Sequence, residues 1–140
     1  MEVSEKLFKE IEQIDSIDFW EDVMVDSYQN YIEKECYNIK DDIFDYFMCH
    51  IDEINNEKQK TFFIDLLSSP IFDTINNFNK LYDKFKNSKD CFIIEKLIDN
   101  LRCWGVSKKD KAKLFLLQKK FDNISPLLSL IIQSEQKKDE

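Results

Sequence analysis

Glycine occurs once in this chain, proline twice, histidine once and arginine once. Each scarcity removes a class of explanation. One glycine cannot build a Gly-rich loop around a phosphate, and so few turn-formers argue against β-hairpins. One histidine, His50, leaves metal binding poorly supplied with ligands. Arg102, the single arginine, and a pI near 4.8 disfavour nucleic acid as the principal partner, because phosphate is repelled. No apolar run approaches the ~20 residues that span a bilayer. The longest, PLLSLIIQ at 126 to 133, has the length of a core helix. The opening MEVSEKLFKEIEQ is charged and amphipathic, unlike a signal peptide. Cys36, Cys49, Cys91 and Cys103 show no CxxC spacing, which predicts reduced, mostly buried thiols. The expectation is a soluble, cytoplasmic chain with no membrane partner and no cofactor.

What remains is core material and helix-forming sequence. Apolar residues make up 43% of the 140, with twelve phenylalanines, enough for one core. Apolar positions recur with a period near 3.6, which predicts an all-α fold of about eight short helices in a single domain at 1–133. Residues 134–140 form a polar tail. Leu7, Phe8, Ile11 and Ile14 mark a first helix with Ser4 as its cap. A second, capped by Asp18 with Glu21 three residues on, turns Trp20, Val23, Met24, Tyr28, Tyr31 and Ile32 inward. Ile39, Ile43, Phe47, Ile51 and Ile54 define a third, and Phe62, Phe63, Leu66 and Leu67 a fourth. Ser69-Pro70 and Ser125-Pro126 each read as N-cap and first helical residue, which starts helices at 70 and 126. The first of these presents Ile71, Ile75, Phe78, Tyr82 and Phe85. Phe92, Ile93, Leu97, Ile98 and Leu101 follow on another, closed by Gly105 as a left-handed C-cap. Ser107 and Asp110 then restart the chain into a helix carrying Leu114, Leu117 and Phe121.

Charge is unevenly spread. Residues 1–70 hold 18 acids against 6 bases, and residues 71–140 hold 10 against 14. In the acidic half, Asp18, Asp22 and Asp26 fall at i, i+4 and i+8 on the second helix. Asp41, Asp45 and Asp52, with Asp42 beside them, lie opposite the apolar side of the third. Like charges at i, i+4 cost a helix ~0.2–0.5 kcal/mol per pair, so the stripes bring folding no benefit. Solvation of an acidic protein explains them, and so does a surface that steers a basic partner. Tyr28, Tyr31, Tyr37 and Tyr46 lie among these acids, and tyrosine covers contact area at low entropic cost. The partner-binding residues predicted here are Asp18, Asp22, Asp26, Tyr28, Asp41, Asp42, Asp45, Tyr46 and Asp52.

Catalysis is not expected. Cys49 and His50 are adjacent on a helix and point about 100° apart, so they cannot pair as nucleophile and base. His50 points toward Phe47 and Ile54, as a packed histidine does. Lys108, Lys109 and Lys111 crowd a helix start, where they oppose the helix dipole and either contact phosphate or serve solubility.

A small, acidic, helical chain without catalytic motifs resembles bacterial immunity proteins in type. The resemblance implies neutralisation of a basic, nuclease-like toxin through the Asp/Tyr face. Residues 101–109, LRCWGVSKK, resemble the Trp-Gly near the end of a late helix in some small viral Bcl-2-like proteins. That likeness, carried by Trp104 and Gly105, implies a helical groove-binder that modulates host signalling. A structural or adaptor homo-oligomer, joined through aromatics such as Phe19, Trp20, Phe44 and Phe72, is the third expectation.

Overall fold

Three phenylalanine rings from three helices meet at the centre of the first half of the chain. Phe8 stacks on Phe63 with centroids 4.7 Å apart, and Phe47 meets both edge-on, at 5.6 Å from Phe8 and 5.3 Å from Phe63. All three are essentially buried. The computed structural model describes residues 2–14 and 17–124, with the side chains of 17–22 and 124 outside that description. Among the described residues there are seven α-helices and no strand, an all-α fold. In chain order they are α1 (Glu2–Glu12), α2 (Ile17–Glu35), α3 (Lys40–His50), α4 (Glu57–Leu67), α5 (Ile75–Phe85), α6 (Cys91–Cys103) and α7 (Lys111–Ile124). Single 3₁₀ turns lie at Tyr37–Ile39, Ile51–Glu53 and Pro70–Phe72. The helix expected from Ser125-Pro126 falls outside the described residues.

The chain divides into two compact units, Met1–Asn77 and Phe78–Glu140. In the first, α1 packs chiefly on α3, and α2 on α4. Besides the three rings, Phe44 meets Phe72 at 5.3 Å and Tyr28 meets Phe62 at 6.1 Å. Two side-chain amides close the ends. Gln59 of α4 donates to the carbonyls of Glu12 and Ile14, satisfying the last turn of α1. Asn77, buried, donates to the Phe72 carbonyl at 3.1 Å and to the Asp41 carboxylate at 3.2 Å. Asn56 caps α4, its side-chain oxygen accepting from the backbone N–H of Lys58 and Gln59.

In the second unit α6 packs on α7. Asp90 caps α6 by accepting from Phe92 N–H at 3.0 Å. Asp110, and not Ser107, caps α7, accepting from Lys113 N–H at 3.1 Å, so the helix starts at Lys111, three residues later than the Ser107–Asp110 pattern implied. The Lys113 ammonium donates to the Asn79 amide oxygen at 2.9 Å and lies 4.9 Å from the Tyr82 ring centre and 5.5 Å from that of Phe78.

Five local readings need correction. Ser4 does not cap α1: it lies inside the helix, fully buried, with no partner for its hydroxyl. Val23 is 58% exposed, because the buried line of α2 runs through Val25 and Ile32 so that Tyr28 can reach Phe62. Ser69-Pro70 starts one 3₁₀ turn only. The backbone breaks at Asp73, and α5 begins at Ile75, where the Thr74 hydroxyl accepts from Asn77 N–H at 3.1 Å. Gly105 is not left-handed. Instead Trp104 turns extended and buries its indole, and the Ser107 hydroxyl donates to the Asn100 carbonyl at 2.7 Å, beside the Trp104 N–H that donates to the same oxygen at 2.8 Å. The thiols are mixed rather than mostly buried: Cys36 is buried, Cys91 half-buried, and Cys49 and Cys103 exposed.

Removing the α7 cap tests this description. Asp110→Ala should cost about 1–2 kcal/mol in urea unfolding, and Asp110→Asn clearly less, since asparagine caps as well. Equal losses would assign Asp110's contribution to its ion pair with Lys113 instead, at 3.5 Å.

Candidate functional site

The apolar side of α3 decides where its acids go. Ile43, Phe44, Phe47 and Met48 are buried, followed by Ile51 in the next turn, so Asp41, Asp42, Asp45 and Asp52 are exposed. Exposed Cys49 lies among them. One of the four carboxylates also ties α3 to Asn77. Asp41 accepts from Asn77 at 3.2 Å and pairs with Lys40 at 3.6 Å, so it holds the start of α3 in place. Asp42, Asp45 and Asp52 are the acids of this face that lie outside the Asn77 anchor. On α2, Asp26 is exposed; the side chains of Asp18 and Asp22 lie outside the described residues. The main partner of α2 is α4 and that of α3 is α1, so the two acid stripes sit on helices packed against different neighbours.

The tyrosines predicted to accompany these acids are drawn elsewhere. Tyr46 is half-buried, stacked on His50 at 4.1 Å and edge-on to Phe8 at 5.8 Å. Burial, followed by the charge of Glu5, raises its pKa above the ordinary tyrosine value. The His50 Nδ1 also lies 3.2 Å from the Glu53 carboxylate, so the histidine is packed and hydrogen-bonded, as its position implied. Cys49, pointing to solvent, does not share that environment. Among the described residues no group of three or more His, Cys, Asp and Glu side chains could hold a metal ion.

Tyr28 enters a feature that the helical pattern did not reveal. A cleft of about 540 Å³ lies between α1 and α2. Val3, Lys6, Leu7 and Glu10 line it from α1, and Ser27, Tyr28 and Tyr31 from α2. Its volume is within the roughly 300–1,000 Å³ of ligand pockets. Burial first, then the nearby Glu10 carboxylate, pushes the Tyr28 pKa up to about 12. Tyr31 is exposed, and its pKa is raised by the neighbouring Cys36 first and by burial second. The Ser27 hydroxyl donates to the Val23 carbonyl at 2.8 Å. Lys6 pairs with Glu2 at 3.5 Å, one turn earlier on α1. Sequence reasoning named Tyr28 and Tyr31 but not Glu10. The available signal was the i, i+3, i+4, i+7 ladder of Val3, Lys6, Leu7 and Glu10 beside the core line of α1.

The Tyr28 environment predicts a pH dependence. A tyrosine raised from about 10 in the unfolded chain to about 12 in the folded one favours the fold fully below pH 10. That contribution is lost as pH rises through about 12. Urea unfolding of the wild type should therefore weaken more between these values than that of Tyr28→Phe. Parallel pH curves for the two proteins would remove Tyr28 as the linked group.

No protein-family model, curated protein or solved structure matches this chain.

Proposed function

We propose that this protein acts without catalysis, by capturing a basic protein partner, and that the partner is a nuclease-like toxin which it neutralises as an immunity protein does. The observation that carries the reading is the coincidence of charge and fold. Residues 1–77, the first compact unit, hold 19 acids against 6 bases; residues 78–140 hold 9 against 14. The sign of the charge therefore changes at a structural boundary. Within the acidic unit, Asp42, Asp45 and Asp52 are exposed beside a fully apolar buried side, an arrangement that core packing does not require. Surfaces of one sign raise the capture rate of partners of the other sign and reject like-charged ones.

The test reverses those three acids and leaves Asp41 in place to hold Asn77. Asp42→Lys, Asp45→Lys and Asp52→Lys together should preserve the helical circular dichroism. Capture of the basic partner from lysate of the source cells should fall, with an association rate at least ~10-fold slower at low salt. The wild-type rate should itself decline as salt is added. A folded triple variant that captures the same partner at an unchanged rate would overturn the assignment.

A second reading, self-association, is favoured by α7. Phe115 and Leu116 are 64% and 56% exposed, a pair of large apolar side chains turned to solvent. The interface aromatics expected from the sequence do not serve this reading: Phe44 and Phe72 are fully buried, and the side chains of Phe19 and Trp20 lie outside the described residues. Equilibrium sedimentation of the isolated chain should give a dimer mass that Phe115→Ser with Leu116→Ser converts to monomer. A monomer mass for the wild type would remove this reading.

A further inference from the structure

The cleft between α1 and α2 offers a visitor acceptors. The Ser27 hydroxyl gives its proton to the Val23 carbonyl at 2.8 Å. A carbonyl only accepts, so this bond has one direction and Ser27 retains lone pairs for a visitor. Glu10 adds a carboxylate to the lining. The one cation on the lining, Lys6, reaches back to Glu2 with 77% of its side-chain surface exposed, so its charge sits at the solvent edge. Val3 and Leu7 supply an apolar wall, and the rings of Tyr28 and Tyr31 supply aromatic faces.

We propose that this cleft is a receptor for an arginine side chain presented by the basic protein partner. A guanidinium has five N–H donors and no acceptor, which complements the Glu10 carboxylate and the lone pairs of Ser27. Its planar cation stacks on tyrosine, and its methylene stem packs on apolar surface. The excess of acids over bases in residues 1–77 favours a cation over an anion at this site. The cleft exceeds the size of one side chain, leaving room for the backbone that carries it. This assignment rests on the basic-partner reading and locates one anchor point for it.

The probe is Nα-acetyl-arginine amide, titrated into isotopically labelled full-length protein and followed by NMR. Saturable shifts should map to Val3, Leu7, Tyr28 and Tyr31. The neutral isostere Nα-acetyl-citrulline amide should bind at least ~10-fold more weakly, and Glu10→Gln should weaken the arginine probe by a similar ~10-fold factor. Glutamine keeps the shape and an acceptor oxygen, so that variant removes the charge alone. Lys6→Gln should leave arginine binding intact or strengthen it. Equal binding of citrulline, no saturable shift, or preferential binding of Nα-acetyl-glutamate amide would overturn the proposal. Loss of partner capture in the Asp42/Asp45/Asp52 reversal without any arginine response would remove the cleft and keep the acidic face. Arginine seated in the cleft with capture indifferent to that reversal would do the opposite.

Discussion

The seat of α1 depends on one ring, and the cleft depends on the seat of α1. Phe8 is the α1 member of the three-ring cluster, stacked on Phe63 and edged by Phe47. Each such aromatic pair is worth ~0.5–1.5 kcal/mol beyond area burial, and losing a buried Phe costs ~3–5 kcal/mol. With Phe8 turned toward α3 and α4, helical geometry turns Val3, Lys6 and Glu10 toward α2. The same ring thus anchors the helix and orients the wall that faces Tyr28. Gln59 secures the other end by taking the carbonyls of Glu12 and Ile14.

That dependence explains how unit Met1–Asn77 tolerates its charge. With 19 acids against 6 bases, self-repulsion opposes compaction, and exposed ion pairs offset little of it. Lys6–Glu2 and Lys9–Glu5 are such pairs, both largely solvated. Phenylalanine packing and the amide anchors of Asn77 and Gln59 carry the stability instead. Of the α3 acids, Asp41 is tied into the fold through Asn77, and Asp42, Asp45 and Asp52 are exposed outside that anchor.

The helical pattern was legible because apolar spacing is a one-dimensional signal. Phe62, Phe63, Leu66 and Leu67 are all buried, as are Ile93, Leu97, Ile98 and Leu101. Boundaries were less legible where tertiary contacts replaced local ones. Ser107 reaches back seven residues to Asn100, and no capping rule would have found that bond. The rotation of α2 that exposes Val23 follows from Phe62, which lies on a different helix. The site was legible in charge and hidden in shape. The α3 acids could be placed on one side by counting from Ile43 and Phe47. That Tyr28 faces Glu10 of α1 across the cleft is a juxtaposition between helices that no spacing within one helix contains, whereas Tyr46 and His50 stand one turn apart on α3.

The acidic face and the cleft act over different distances, and this separates their roles under the proposed reading. Carboxylates on α3 reach through solvent for about one Debye length, ~8 Å at physiological salt, so they act on a partner before contact. Lone pairs on Ser27 act only at hydrogen-bond distance, ~3 Å, after water has left. Added salt weakens the first effect strongly and the second little. The face then governs how often a basic partner arrives, and the cleft governs how long an arginine stays. Neither alone gives selectivity: any polycation is steered by charge, and any arginine fits a lining of acceptors. A partner that satisfies both must place an arginine at a fixed position within a basic surface. Cationic solutes without that placement would be steered toward the protein and released.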